Sequence, residues 1–256
     1  MQHRWTKEQT IIAFNLYCKI PFQKAHSNNP DIIRIAKIIG RSPNSVKMKI
    51  GNFGNFDPDL KEKGIVGLSN TSKLDKEVWD EFNDNWDQLA FESEKYIAKF
   101  LNNNLAEIGK EEPLKIPEGI SGKQLVKTRV NQSFFRNSIL SAYNSTCCMT
   151  GIKIPQLLIA SHIIPWADAD DQTEKVNPRN GLCLNSLHDK AFDRGLITVN
   201  IDFKIRVSEK LFEIQNDEVS RMYFKNLNKK TIILPDRFLP QKKFLEYHNQ
   251  YIFENF

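Results

Sequence analysis

The sequence predicts an α+β chain, with a mostly helical N-terminal half and a C-terminal half of short strands around a helix. Three observations point there. Apolar residues recur at three- and four-residue spacing through the first hundred positions. A helix, a Gly-containing turn and a second helix are spelled out between Asn29 and Phe53. Beyond residue 156, β-rich runs such as "LLIA" and "LITVNIDFKIRVS" alternate with turn residues.

The first segment, "WTKEQTIIAFNLYCKI", reads as a helix burying Ile11, Phe14, Leu16 and Cys18, with Thr6 and Glu8 near its start. In "NPDIIRIAKIIGRSPNSVKMKIGNF", Asp31 is expected to cap a helix that ends at Gly40. Ser42 caps the next helix and Pro43 takes its first position. Val46, Ile50 and Phe53 share the buried face of that second helix. Asn44, Ser45, Lys47 and Met48 fall outside it, flanked by Arg41 and Lys49. Helix, turn and basic helix form the helix-turn-helix pattern, so Arg41, Asn44, Lys47 and Lys49 are the candidates for DNA contact.

Between residues 71 and 105, Trp79, Phe82, Trp86, Leu89 and Ala90 mark one or two bracing helices. The stretch 107–122 is rich in Pro, Gly and charge and reads as a linker. The expected organisation is therefore a helical, helix-turn-helix-like module over 1–106, the linker 107–122, and a second domain over 123–256. A length of 256 residues suits one large or two small domains. The second domain opens with a helix near Asn131–Tyr143 and ends in the aromatic tail "FLEYHNQYIFENF".

Charge follows the same division. The net charge is +5, but residues 1–56 carry nine Lys/Arg against two acids, and residues 57–119 carry eight against fifteen. A basic N-terminal segment suggests a polyanionic partner, nucleic acid first. No apolar run is long enough to span a membrane, and "MQHRWTKEQTII" lacks the order of a secretory signal, so a cytoplasmic protein is expected. The four cysteines form no C-x-x-C pair, which leaves a zinc ribbon without support and reduced thiols as the expectation.

The chemistry concentrates in residues 160–196. A strand runs into Ser161-His162. An acidic loop of about eighteen residues with Asp168, Asp170 and Asp171 follows. Asn180-Gly181 then opens a short strand, and a helix carries His188 and Asp193. Phosphodiester hydrolysis needs a base for water, a cation for the charge on the phosphorane and leaving oxygen, and in-line attack. A neutral histidine suits the base, and a second histidine or carboxylates suit the cation.

The run "SHIIPW…NPRNGLCLNSLHDKAFDRGL" resembles the HNH nuclease family, whose fold is the ββα-metal finger, and within it the restriction-endonuclease-like branch. The helix before the motif and "FLEYH" near the end are similar too, so the likeness covers about residues 123–256. The resemblance implies His162 as general base and Asn180 as the residue that orients the loop and that base. It implies His188 as a metal ligand, with Asp193 a further candidate, and Arg179 and Arg194 as possible phosphate contacts. It also implies a divalent ion, magnesium or manganese, DNA as substrate, and 5′-phosphate and 3′-hydroxyl products. Two-strand cutting calls for two active sites, so a homodimer is expected. Where many family members place an acidic ligand before the first histidine, this chain has Ser161. Two rival readings share the residues: a non-catalytic DNA-binding regulator that keeps the finger as scaffold, and a nuclease of RNA or single strands.

Overall fold

A computed structural model describes residues 4–102, 122–170, 173–214 and 217–253. The chain divides into two compact units, Met1–Ser141 and Ala142–Phe256. The linker expected at 107–122 lies outside the described residues, except that Gly122 already begins a helix, Gly122–Ala142. That helix is longer than its apolar stripe foretold. It belongs to the first unit almost entirely, so the boundary falls near residue 141 and not at 123.

The first unit is built around α1 (Lys7–Lys19). Every residue from Gln9 to Cys18 is buried, so α1 is a central helix and not an amphipathic surface one. Thr6 and Gln9 close a capping box at its start, each side chain bonding to the other's backbone. Around it lie α2 (Pro30–Ile38), α3 (Pro43–Gly54), α4 (Pro58–Glu62), α5 (Lys73–Phe82), α6 (Trp86–Leu101) and α7 (Gly122–Ala142). Phe14 anchors an aromatic core, its ring 4.7 Å from Phe53 and 5.2 Å from Trp79. Trp86 stacks on Phe134 of α7 at 6.3 Å. The bracing segment is two helices, α5 and α6, broken at Asp84, whose φ is 69°.

Helices α2 and α3 are joined by a short turn. Asn29, not Asp31, caps α2: its side chain accepts from the Asp31 and Ile32 N–H groups, and Pro30 takes the first position. Gly40 adopts φ +67°, the left-handed conformation that ends a helix at little cost only for glycine. Ser42 then caps α3 by accepting from the Ser45 N–H, with Pro43 following it. Val46, Ile50 and Phe53 are buried, while Asn44, Lys47 and Met48 are exposed.

Lys49 differs from its expected place. It is 5% exposed, its ammonium bonds the Asp75 carboxylate at 2.5 Å and also sits 4.7 Å from the Trp5 ring. Its position on α3 turns it towards α5, so it is a structural cation and not a DNA contact. Burial pushes the Asp75 carboxyl up. Lys49, with the Ser72 N–H and Asn52, outweighs that and holds it below the usual carboxylate range. Arg41 is tied down as well: it donates to the Gln9 side chain and the Arg4 carbonyl and lies over Trp5.

In the second unit, β1 (Leu158–His162) pairs antiparallel with β2 (Gly181–Asn185), Ser161 opposite Leu182 and His162 opposite Gly181. The next helix, α8 (Ser186–Asp193), packs on both strands. A hairpin follows, β3 (Ile197–Val199) with β4 (Ile205–Val207), turning where Asn200–Asp202 foretold. The rest is α9 (Glu209–Ile214), α10 (Glu218–Tyr223), α11 (Lys242–Tyr247) and a π-turn, His248–Ile252. Gly195 is required where α8 ends: its φ is +69°, and a Cβ there would meet the Ile252 carbonyl at 2.1 Å. The four cysteines are free and buried. No helix of the described residues is long and apolar enough to cross a membrane.

Lys49→Ala should destabilise the protein by about 3–5 kcal/mol, because it strands a buried carboxylate. Lys47→Ala, two residues away in solvent, should stay within about 0.5 kcal/mol. Urea denaturation of the full chain measures both, and equal effects would contradict the placement of Lys49.

Candidate active site

Strand β1 ends at His162, and the loop after it is closed by one residue. Asn180 is 0% exposed. Its carbonyl accepts from the Ile163 N–H at 2.9 Å, and its side-chain oxygen accepts from the Ile164 N–H at 2.9 Å. Its amide donates to the Glu174 carbonyl at 3.2 Å. The sequence favours this locally, because Asn177 caps the short 3-10 turn Pro178–Asn180 by accepting from the Arg179 N–H. Asn180 therefore holds both ends of the loop on the strand pair.

Loop closure delivers a backbone acceptor to the imidazole. His162 Nε2 lies 2.9 Å from the Lys175 carbonyl oxygen. A carbonyl only accepts, so in the neutral ring Nε2 carries the proton and the basic lone pair is on Nδ1. Burial lowers the His162 pKa to about 4, against the opposing bond from Lys175. Trp166 stands edge-on to the imidazole at 5.4 Å, and the Lys175 ammonium lies over that indole. Neutral, oriented and walled, this ring has the chemistry of a general base.

His188 is placed differently from a ligand. It is 1% exposed and both ring nitrogens face protein oxygen acceptors, to only one of which the neutral ring can donate. Nδ1 lies 3.0 Å from the Asn185 side-chain oxygen, and Nε2 lies 3.0 Å from the Tyr223 carbonyl. Asn185 cannot be turned over, since its oxygen also caps α8 by accepting from the Leu187 and His188 N–H groups. Its amide reaches Thr150. Burial lowers the His188 pKa, with the Tyr223 bond opposing. As expected of a ligand, His188 stands on the first turn of α8, but its nitrogens serve the packing of that turn.

Asp193 ends α8 and is exposed, and Arg194 beside it is exposed too. Burial of its carboxyl raises the Asp193 pKa, against Lys190 and Arg194. Arg179 donates to the Leu239 carbonyl, which anchors it to the segment before α11. The loop acids are turn-formers: Asp170 accepts from the Thr173 N–H and hydroxyl, and Asp168 lies by Tyr247. Asp171 lies outside the described residues. Among the described residues no three His, Cys, Asp or Glu side chains gather into a metal cage.

Sequence reasoning missed three participants. The Lys175 carbonyl gives no side-chain signal at all. Asp189 was legible as the residue four before Asp193 on the same helix. Its carboxyl is raised by burial first and then by the Asp193 charge, with the Ser161 hydroxyl acting the other way. Asn185 was legible as the residue that begins α8.

Strand pair, loop and helix make a ββα unit. Residues 147–200 match the family model described as HNH endonuclease. The matched segment lies in the second unit, at the place where the motif was read. No curated protein matches the chain. HNH nucleases typically use a divalent metal ion. In the matched segment, the His188 imidazole and the α8 carboxylates Asp189 and Asp193 have the donor chemistry for such an ion.

His248 is a core residue of the HNH domain's surroundings. It bonds Thr198 and the Phe192 carbonyl, stacks on Phe192, and burial lowers its pKa to about 4. An unfolded histidine titrates near 6.5. Between those values the unfolded chain binds more protons, so stability is intact above pH 6.5 and falls as pH drops towards 4. The melting temperature should accordingly fall between pH 7 and pH 4.5, and His248→Gln should flatten the slope. A melting temperature level across that range would contradict the burial of both histidines.

Proposed function

We propose that this chain is a metal-dependent endonuclease that cuts DNA, in the manner of restriction or defence nucleases. The observation that carries the reading is the His162 imidazole, held through Nε2 by the Lys175 carbonyl at the end of β1, inside the matched HNH segment. His162 Nδ1 accepts the proton of a water whose oxygen attacks phosphorus. The bond to the 3′-oxygen breaks, and solvent protonates that leaving group, giving a 5′-phosphate and a 3′-hydroxyl. Asn180 is a positioning residue: through Ile163, Ile164 and Glu174 it fixes the loop that supplies the Lys175 carbonyl. A divalent ion, magnesium or manganese, would neutralise charge on the phosphorane and leaving oxygen, held by carboxylates of α8, Asp193 among them. Arg194 and Arg179 border this helix and strand pair and supply cations for phosphate.

The N-terminal unit would hold duplex DNA through the exposed face of α3, with Asn44 and Lys47 at the grooves and phosphates. Lys49 takes no part, since Asp75 neutralises it. A homodimer suits cutting of both strands, and free thiols suit a cytoplasmic setting. The regulator reading keeps one supporting observation, Ser161 in place of an acid.

Plasmid cleavage with magnesium or manganese tests the reading. His162→Ala should lower the rate by about 10²–10⁴-fold. Cleavage of RNA or single strands alone would redirect the substrate, and no cutting with any divalent ion would favour the regulator. Independently, Lys47→Ala should weaken duplex binding at all sequences and reduce the salt slope by about one. Fluorescence anisotropy measures the affinity and the slope.

A further inference from the structure

We infer that the groove on the outward side of α3, walled by Met48, Val66 and Leu68, receives the C5-methyl group of thymine from the major groove of duplex DNA. The inference rests on the reading of α3 as the helix that faces the duplex, and deepens it by naming a base contact.

Asn44, Lys47, Met48 and Gly51 follow one another at three- and four-residue spacing, so they share one face of α3. The segment 65–68 crosses that face. The Leu68 N–H donates to the Gly51 carbonyl at 2.9 Å. A Cβ on Gly67 would lie 2.1 Å from the Asn55 backbone nitrogen, so the segment rests directly on the helix. Val66 stands up beside it, 77% exposed, with Met48 46% and Leu68 37% exposed. Phe22 closes the far side of a groove of about 220 Å³. Single exposed apolar residues are ordinary, whereas three around one groove mark a contact site.

The groove is smaller than the roughly 300–1,000 Å³ of small-molecule sites, so it suits a protruding group of a larger partner. Charge selects that partner. Lys47 lines the groove, and the other lining residues are apolar or glycine. Residues 1–56 carry nine Lys/Arg against two acids. A polyanion that offers a small apolar knob satisfies both conditions. Duplex DNA offers one in the thymine C5-methyl, the apolar group among the base edges of the major groove. A whole extruded base does not suit the groove. Its pairing edge needs hydrogen-bond partners, and among the lining side chains only the Lys47 ammonium could supply one. Lys47 at the rim thus meets a phosphate oxygen, while Asn44, one turn earlier, faces a neighbouring base edge. The methyl displaces water from Met48, Val66 and Leu68.

The test selects duplexes from a random-sequence pool with the purified full chain, without divalent ions so that nothing is cut. The selected duplexes are then remade with uracil for thymine, which keeps the pairing and removes only the methyl. In competition anisotropy, wild type should bind the uracil duplex about fourfold more weakly for each methyl in contact. Met48→Ser and Val66→Ser, both at exposed positions, should fold by circular dichroism and bind thymine and uracil duplexes alike. Lys47→Ala should weaken both duplexes and keep their ratio. Equal binding of the two duplexes by wild type overturns the inference and leaves duplex binding standing. A preference for 5-methylcytosine over cytosine, with none for thymine, overturns it too by putting another base in the groove. Self-association abolished by Met48→Ser, with no thymine preference, would give the groove to a second copy of the chain. A wild type that binds no duplex sinks both the inference and the reading of α3 on which it rests.

Discussion

Asn180 closes the segment between β1 and β2, and the rest of the site depends on that closure. Its backbone and side-chain oxygens hold two successive N–H groups just past His162, and its amide holds the far side of the loop. A fully buried amide with its polar atoms engaged is stiff, because releasing any one bond would leave a polar group unpaired. The His162 ring is thus oriented by the backbone geometry of the loop. The same closure sets the strand register, which brings Ser161 under α8 and places His162 at the strand's edge.

Much of this was legible in the sequence. Ser42-Pro43, Gly40 and the Val46, Ile50, Phe53 stripe spelled out the turn between α2 and α3 because caps and left-handed turns are local chemistry. Asn180-Gly181 and His162 were legible through an ordered motif. What escaped was set by tertiary contacts. Lys49 looks like any basic helix residue until Asp75 of α5 is placed against it, because residue type does not report facing charge. The Tyr223 carbonyl near His188 Nε2, thirty-five residues away, is likewise a tertiary contact that the motif does not announce. The unit boundary moved because α7 carries Phe134 into the core with Trp86, a contact the periodicity of α7 alone does not announce.

The first unit also shows how a basic segment can overstate its free charge. Arg41 and Lys49 both turn inward around Trp5, one spent on Gln9 and Arg4, the other on Asp75. They fasten the N-terminal segment to the turn and to α3. Lys47 stays outward on that helix, beside Asn44 and Met48.

The acceptor on His162 belongs to the main chain, and this sets what the loop tolerates. Replacing the Lys175 side chain leaves its carbonyl oxygen where it was. Adding or removing one residue between Ile164 and Asn180 would rotate a different peptide group towards the ring. The spelling of that loop is therefore freer to drift than its length, and insertions there would displace the His162 ring more readily than substitutions.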